Sequence, residues 1–346
     1  MRKRTARDAP VHNVMKVKLS IAAGFAISAL LLWLALRNVP LENLAGAYAR
    51  VSAWYLLPAA LATLSELFVR GAKWRLLLLP ANPDIRVFDA FRLQAAGLAL
   101  NNVLPLRLGE LARASFAARE FKVPLLTALA TILVERLLDV VVLVMMFAAA
   151  AAFGGLTGGL LEYRNYMWTL VAGLAGGLTA LIFADELVSH AWFSGFFSRF
   201  PRLRSLFEKV AMGVKGFHTF RGGAAILGLA ALQWLINALN MWLLALAFGL
   251  GSVVTLFRSI ALLCSGAIAA SIPAAPGFFG NFELMLTKVM KGWGVEETVG
   301  FAYASFVHVA SYIVVTVLGV FFIYRMGHSL SKVWGEFSSG RGDKAA

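Results

Sequence analysis

Two stretches of the chain, 224–249 and 299–324, each run 26 residues without one Asp, Glu, Lys or Arg. As a helix, either is longer than the roughly 30 Å hydrocarbon core of a bilayer. Lipid offers no partner to an open backbone amide, and a helix satisfies its own, so few other structures suit such runs. Further apolar runs lie near 19–36, 54–69, 124–150 and 166–184. The expected fold is therefore an all-α polytopic membrane protein with about six full spans. Only 14% of the residues are charged, against about 25% in soluble domains, which argues against a soluble domain with an oversized core.

Two more apolar runs, near 87–104 and 255–275, end in proline breaks, Asn101-Asn102-Val103-Leu104-Pro105 and Ile272-Pro273-Ala274-Ala275-Pro276-Gly277. A second helical stretch follows each break, near 108–121 and 279–291. Proline removes a donor and pushes the residue before it out of the helix, so the chain turns there. Broken backbone at membrane depth survives only when buried in protein or lining a watery cavity. Both runs read as re-entrant helical hairpins. On that topology, segments 1–19, 70–122, 185–222 and 325–346 share one side and hold 25 of the 32 Lys and Arg, against six on the other side. The positive-inside rule then puts both termini in the cytoplasm.

The implied organisation is a basic cytoplasmic N-terminus at 1–18, a transmembrane domain at 19–326 and a cytoplasmic tail at 327–346. The first apolar run follows Arg2, Lys3, Arg4, Arg7, Lys16 and Lys18 without an A-x-A cleavage site, so it reads as a retained span in a bacterial inner membrane. A net charge of +14 suggests nucleic acid until its placement between spans is considered. Anionic membrane lipid is the better match, and no nucleic-acid partner is expected. Cys264 is the sole cysteine, which excludes an intrachain disulfide and a cysteine metal site. No cofactor or metal is expected.

The order span, span, hairpin, span is followed by its inverted copy, dividing the domain into halves at about 19–153 and 166–326. Phe88-x8-Gly97 followed by Pro105 echoes Phe257-x8-Gly266 followed by Pro273. Glu110 or Glu283 closes each hairpin motif, and a polar residue, Glu135 or His308, follows 25 positions later. Inverted repeats with broken helices place transporter sites near the membrane midplane.

Polar residues inside the apolar runs mark the candidate site. Arg107, Glu110 and Arg113 recur every three residues and can share a helix face after the first break. Glu135, Arg136 and Asp139 lie within a span, where each unpaired charge costs about 2.5–3.5 kcal/mol. Pairing with the hairpin charges is the expected relief. Pinning the hairpin to the span is the plainer role, and receiving a lipid headgroup the functional one. Arg70, Lys73, Arg75 and Arg92 are expected to make the cytoplasmic mouth positive, suiting an anionic headgroup held in Arg–phosphate geometry. In the second half, Gly277, Gly280 and Glu283 form a glycine-rich turn whose free amides would attract an anion. Gln233, Asn237 and Asn240 make a polar stripe that serves interhelical bonding or transport alike. His308, with Ser311 and Tyr312, offers a proton-linked site or a satisfied intramembrane histidine. Asn101 and Asn102, at the first break, complete the cavity set. No phosphate loop, H-E-x-x-H or G-x-S-x-G motif occurs, so no catalytic residues are assigned and ATP-driven work by this chain is not expected.

The pattern N-x3-P-x-R-x-G-E-x2-R at Asn101–Arg113, then E-R-x2-D at Glu135–Asp139, then P-x2-P-G-x2-G-x2-E at Pro273–Glu283 resembles the transmembrane domain of lysylphosphatidylglycerol synthases. That family is also called flippase-like or UPF0104, and the resemblance covers roughly residues 15–330. It implies translocation of an anionic or phosphate-bearing lipid, or a lipid-linked precursor, between leaflets. The matching positions are Asn101, Pro105, Arg107, Gly109, Glu110, Arg113, Glu135, Arg136, Asp139, Pro273, Pro276, Gly277, Gly280 and Glu283. The soluble aminoacyl-transferase domain of the full-length synthases is not in this sequence, which does not support lipid aminoacylation. The alternative expectation is a membrane subunit or scaffold working with a separate lipid-modifying or glycosyl transferase.

Overall fold

The structure, a computed structural model, describes residues 26–37, 39–104, 108–152, 219–271 and 276–327, with isolated positions at 169, 172–173, 176, 199 and 217. Among the described residues every regular element is a helix. They are α1 (Ala26–Leu36), α2 (Leu41–Ala49), α3 (Leu56–Leu78, entered by a 3₁₀ turn at Ala53–Tyr55), α4 (Val87–Val103), α5 (Leu108–Phe121) and α6 (Leu125–Ala152). After them come α7 (Phe220–Ala247), α8 (Leu256–Ser271), a 3₁₀ turn at Pro276–Phe278, α9 (Asn281–Lys291) and α10 (Glu297–Arg325).

The charge-free runs are α7 and α10, of 28 and 29 residues, and both are long and apolar enough to cross a membrane. α2 and the helix beginning at Ala53, bent by 66°, pass the same test only as a pair. α3 and α6, at 23 and 28 residues, also have the length to cross. Their three-charge sets, Glu66, Arg70 and Lys73 and then Glu135, Arg136 and Asp139, keep each from qualifying alone. The expected first span is described only as α1, and the one at 166–184 lies almost wholly outside the described residues.

Both proline breaks separate short helices that pack side by side, α4 on α5 and α8 on α9. Leu104 turns extended, at φ −95° and ψ 143°, as steric conflict with the following Pro105 requires. The tips at 105–107 and 272–275 lie outside the described residues. α5 and α9, of 14 and 11 residues, are too short to cross a bilayer. Glycines set the hairpin crossings. A Cβ on Gly109 would meet the Gly97 carbonyl oxygen at 2.0 Å, and one on Gly266 would meet the Phe282 ring at 2.5 Å. The repeated Phe-x8-Gly spacing thus marks the same contact in both hairpins.

α3 packs most extensively on α7 and α4 on α10, while α8 lies against α7, α9 and α6, α5 on α6 and α9 on α10. One apolar core gathers around Trp74, Leu93, Leu100, Ala114 and Leu138. A second gathers around Ala238, Met241, Leu262, Leu286 and Tyr303. Large apolar side chains also face outward, among them Trp33, Leu57, Leu133, Met145, Ile268, Val317 and Phe321. A surface of this kind suits lipid rather than water.

Candidate functional site

The first half buries a lattice of charge. Glu66, Arg70 and Lys73 recur at i, i+4 and i+7 on α3, so they share one face turned toward α6 and α7. Arg70 donates from Nε and Nη2 to Glu66 Oε1 at 2.9 and 2.7 Å. Lys73 Nζ lies 2.6 Å from Asp139 Oδ1, with both side chains almost fully buried. The same Asp139 oxygen accepts from Trp234 Nε1 at 3.2 Å, and its other oxygen lies 3.3 Å from Arg136 Nη1. Arg113 on α5 reaches Glu135 Oε2 at 3.1 Å and donates to Gln94 Oε1 on α4. Its guanidinium sits 4.4 Å over the Trp74 ring, whose Nε1 donates to Thr131 Oγ1 at 3.0 Å. Arg136 closes the lattice, with Nη2 3.0 Å from Glu135 and Nε 3.3 Å from Glu110.

The expected pairing of hairpin with span is present: Arg113 takes Glu135 and Glu110 takes Arg136. Arg107 lies outside the described residues. The expected basic mouth needs correction. Arg70 and Lys73 are 7% and 0% exposed, each held by a carboxylate. Arg75 donates to the Ile85 carbonyl at 2.6 Å, and Arg92 lies between Asp89 and Glu120. Arg70, Lys73, Arg113 and Arg136 match Glu66, Glu110, Glu135 and Asp139 one for one. A buried charge left single would be expelled or neutralised, so balance is what burial demands.

The second hairpin is built differently. Gly277 and Gly280 adopt left-handed φ of 80° and 90°, and Phe278 adopts 60°, a region glycine enters without the Cβ penalty. A Cβ on Gly280 would also lie 2.6 Å from the Ser28 carbonyl oxygen of α1. The turn delivers Glu283 into the first turn of α9, where Oε2 accepts from Gly280 N at 2.7 Å. The amide expected to attract an outside anion is therefore taken by the chain's own carboxylate. Glu283 Oε1 meets His308 Nδ1 on α10 at 2.7 Å. The imidazole stacks on Phe279 at 4.4 Å and tilts against Phe282 at 4.9 Å. The end of α4 reaches the same helix, where Tyr312 donates to the Asn102 carbonyl at 3.0 Å and Asn102 Nδ2 to Thr316 at 2.9 Å.

Between these two assemblies lies a cavity of about 300 Å³. Glu66 and Arg70 form part of one wall, Asn237 and Asn240 another, and His308, Ser311 and Tyr312 a third, with Asn102 and Gly277 at the hairpin ends. Asn240 donates to Thr63 at 3.1 Å, but its Oδ1 is buried without a partner. Gln233, off the cavity, has both amide atoms buried and unpartnered. Of the sequence-derived set, Asn102, Gly277 and His308 line this space, with Gly280 and Glu283 directly behind. Asn101, Glu110, Arg113 and Arg136 line a separate crevice of about 10 Å³, room for no more than one water. Glu135 and Asp139 lie inside the lattice. Sequence reasoning missed Glu66 and Trp234; the four-residue spacing of Glu66 and Arg70 was the available signal for the first, and nothing marked the second.

A family model described as the lysylphosphatidylglycerol synthase TM region matches residues 21–319. A UPF0104 membrane protein of Methanothermobacter thermautotrophicus is 24% identical over 294 residues, covering 78% of this chain and 83% of its own length. A UPF0104 membrane protein of Methanocaldococcus jannaschii is 22% identical over 321 residues, covering 88% of this chain and 95% of its own. No solved structure matches the chain.

Proposed function

The chain belongs to the lysylphosphatidylglycerol synthase TM region family of membrane proteins, and on that premise we propose that it moves a phosphate-bearing lipid, or lipid-linked precursor, between leaflets. The observation that carries this reading is the cavity of about 300 Å³, lined by α3, α4, α7, α8, the second hairpin's turn and α10. That volume suits a headgroup-sized ligand, while acyl chains stay against the apolar exterior. Arg70 is the one cation with fixed charge on the described wall. Its guanidinium carries five N–H donors, so a phosphate can bond it while Glu66 keeps its hold.

Architecture supports the same reading. The α4–α10 contact mirrors α8–α6, α5–α6 mirrors α9–α10, and α3–α7 joins the halves. We read this as an inverted repeat of six spans and two re-entrant hairpins, with the substrate site where the halves meet. On the same reading, the charge bias supports both termini lying in the cytoplasm of a bacterial inner membrane. Three of its 25 basic residues, Arg70, Lys73 and Arg113, are interior ones, and removing them keeps the direction of the bias. The balanced lattice also favours a second reading, a rigid membrane scaffold for a separate transferase, because paired charge can fix geometry without handling a ligand.

Reconstitution separates the two. Purified protein in phosphatidylethanolamine–phosphatidylglycerol vesicles should speed equilibration of fluorescent phosphatidylglycerol between leaflets. Arg70→Gln should slow it by roughly tenfold or more, the worth of one charge-assisted contact. Equilibration no faster than in empty vesicles would reject transport of this lipid and leave the scaffold.

A further inference from the structure

The cavity has one wall whose charge can change near neutral pH. Imidazole is the side chain whose ordinary proton affinity lies closest to that range. His308 Nδ1 is held 2.7 Å from Glu283 Oε1, and a carboxylate can only accept, so Nδ1 carries the hydrogen. Glu283 is fixed in turn by the Gly280 amide at 2.7 Å and by its place in the first turn of α9, where a helix favours negative charge. This arrangement sets the tautomer and leaves Nε2 as the free base of the ring. His308 lines the cavity with its side chain 13% exposed, against 2% for Glu283. Among the described residues Nε2 has no hydrogen-bond partner.

We propose that His308 and Glu283 form a proton-binding site in the cavity wall, through which proton uptake at Nε2 governs the hold of the second hairpin on α10. This rests on the transport reading for its consequence, since it names the coupling ion of that same cavity. With neutral His308, hairpin and α10 share a hydrogen bond from Nδ1 to a carboxylate. A proton from the cavity converts the ring to imidazolium, and the contact becomes an ion pair shielded by Phe279 and Phe282. No other bond forms or breaks. The protonated state holds the hairpin shut, and loss of the proton loosens it.

Other charged and titratable groups face His308 from three helices. From α9 there is Glu283; from α10 itself, Tyr312, whose hydroxyl is engaged with Asn102. From α3, across the cavity, there are Glu66 and Arg70, which pair with each other. α4, α7 and α8 contribute no titratable side chain to the described cavity wall. A proton taken up at His308 Nε2 breaks none of these pairings.

The test uses the full chain in phosphatidylethanolamine–phosphatidylglycerol nanodiscs and vesicles. Nitrogen NMR of histidine-labelled protein from about pH 8 down to about pH 5, with His308 assigned by its loss in His308→Gln, should show that ring gaining a proton at Nε2. Amide exchange in residues 277–284 should slow on the acid side in wild type and become pH-independent in His308→Gln. Glu283→Gln, which keeps a side-chain oxygen for the Gly280 amide, should also remove the acid-side slowing. Flip rate of fluorescent phosphatidylglycerol should vary roughly tenfold over this range in wild type and be flat in both variants. A His308 signal that does not titrate, or hairpin exchange with the same pH profile in wild type and His308→Gln, would overturn the proton site. A titrating His308 with pH-dependent hairpin exchange but no lipid movement at any pH would overturn transport and keep the proton site.

Discussion

The two hairpins share a sequence echo but not a means of attachment. The first is fastened to α6 by two charge pairs, Arg113 to Glu135 and Glu110 to Arg136, and its own helices meet backbone to backbone at Gly97 and Gly109. The second is fastened to α10 by His308 and Glu283, aromatic stacking and an exposed Lys291–Glu297 pair. Its helices meet through the Phe282 ring, which can turn aside. Spacing of small residues thus sets where a hairpin crosses, while chemistry at the crossing sets how firmly it is held. A stiff hairpin facing a looser one gives a cavity one fixed wall and one movable wall.

The largest test of this contrast falls on the lattice beneath the first hairpin. Lys73→Met leaves Asp139 buried without its closest cation, and removing one member of a buried pair costs about 3–5 kcal/mol. The expected outcome is a large drop in thermal stability in detergent, or failure to yield monodisperse protein. His308→Gln, cutting the main polar link of the second hairpin, should cost far less. Equal losses in the two variants would erase the distinction between a stiff and a loose half.

A smaller effect compares the two hairpin crossings. Gly109→Ala puts a Cβ 2.0 Å from the Gly97 carbonyl oxygen and 2.6 Å from the Asn101 amide nitrogen. Backbone on both sides must shift, so a loss of about 1–3 kcal/mol is expected. Gly266→Ala meets only the edge of Phe282, at 2.5 Å, and ring rotation should keep its cost under about 1 kcal/mol. Parallel melting curves of the two variants decide the point. A costlier Gly266→Ala would mean that the second hairpin is the rigid one.

These differences also explain what could be read from residues alone. The charge-free runs became α7 and α10 because nothing in them competes with a helix in lipid, and Pro105 announced the end of α4 by local sterics. Both are properties of short segments. Arg70 and Lys73 were misread as a basic mouth because their meaning depends on Asp139, 66 residues from Lys73, and on Glu66 one turn earlier. Sequence order places them beside Arg75 at the end of an apolar run, where a snorkelling cation is the ordinary expectation. Gly277 and Gly280 were recognised as a turn, but the amide they expose is claimed by Glu283, a fact of side-chain reach rather than spacing. The cavity was least legible of all. It forms where α3, α7 and α10 meet, and its neutral wall of Asn237, Asn240 and Ser311 resembles ordinary interhelical bonding until the helices are in place.

Asn237 carries the smallest expected effect on stability and the sharpest separation of cavity from scaffold. It is half-buried on α7, lines the cavity, and has no hydrogen-bond partner among the described residues. Asn240, three residues on, donates to Thr63 and so has a structural role that would confuse the result. Replacing Asn237 by Ala breaks no contact in the resting protein, so its melting temperature should move by no more than about 0.5 kcal/mol implies. A headgroup in the cavity would lose one neutral hydrogen bond, worth about 0.5–1.5 kcal/mol, or roughly two- to tenfold in flip rate per folded molecule. The variant should therefore be as stable as wild type and slower in phosphatidylglycerol vesicles. Unchanged stability with an unchanged flip rate would remove this wall from the substrate path, and confine lipid handling to the Glu66–Arg70 and Glu283–His308 sides. Lost stability would show that Asn237 is part of the packing between the halves.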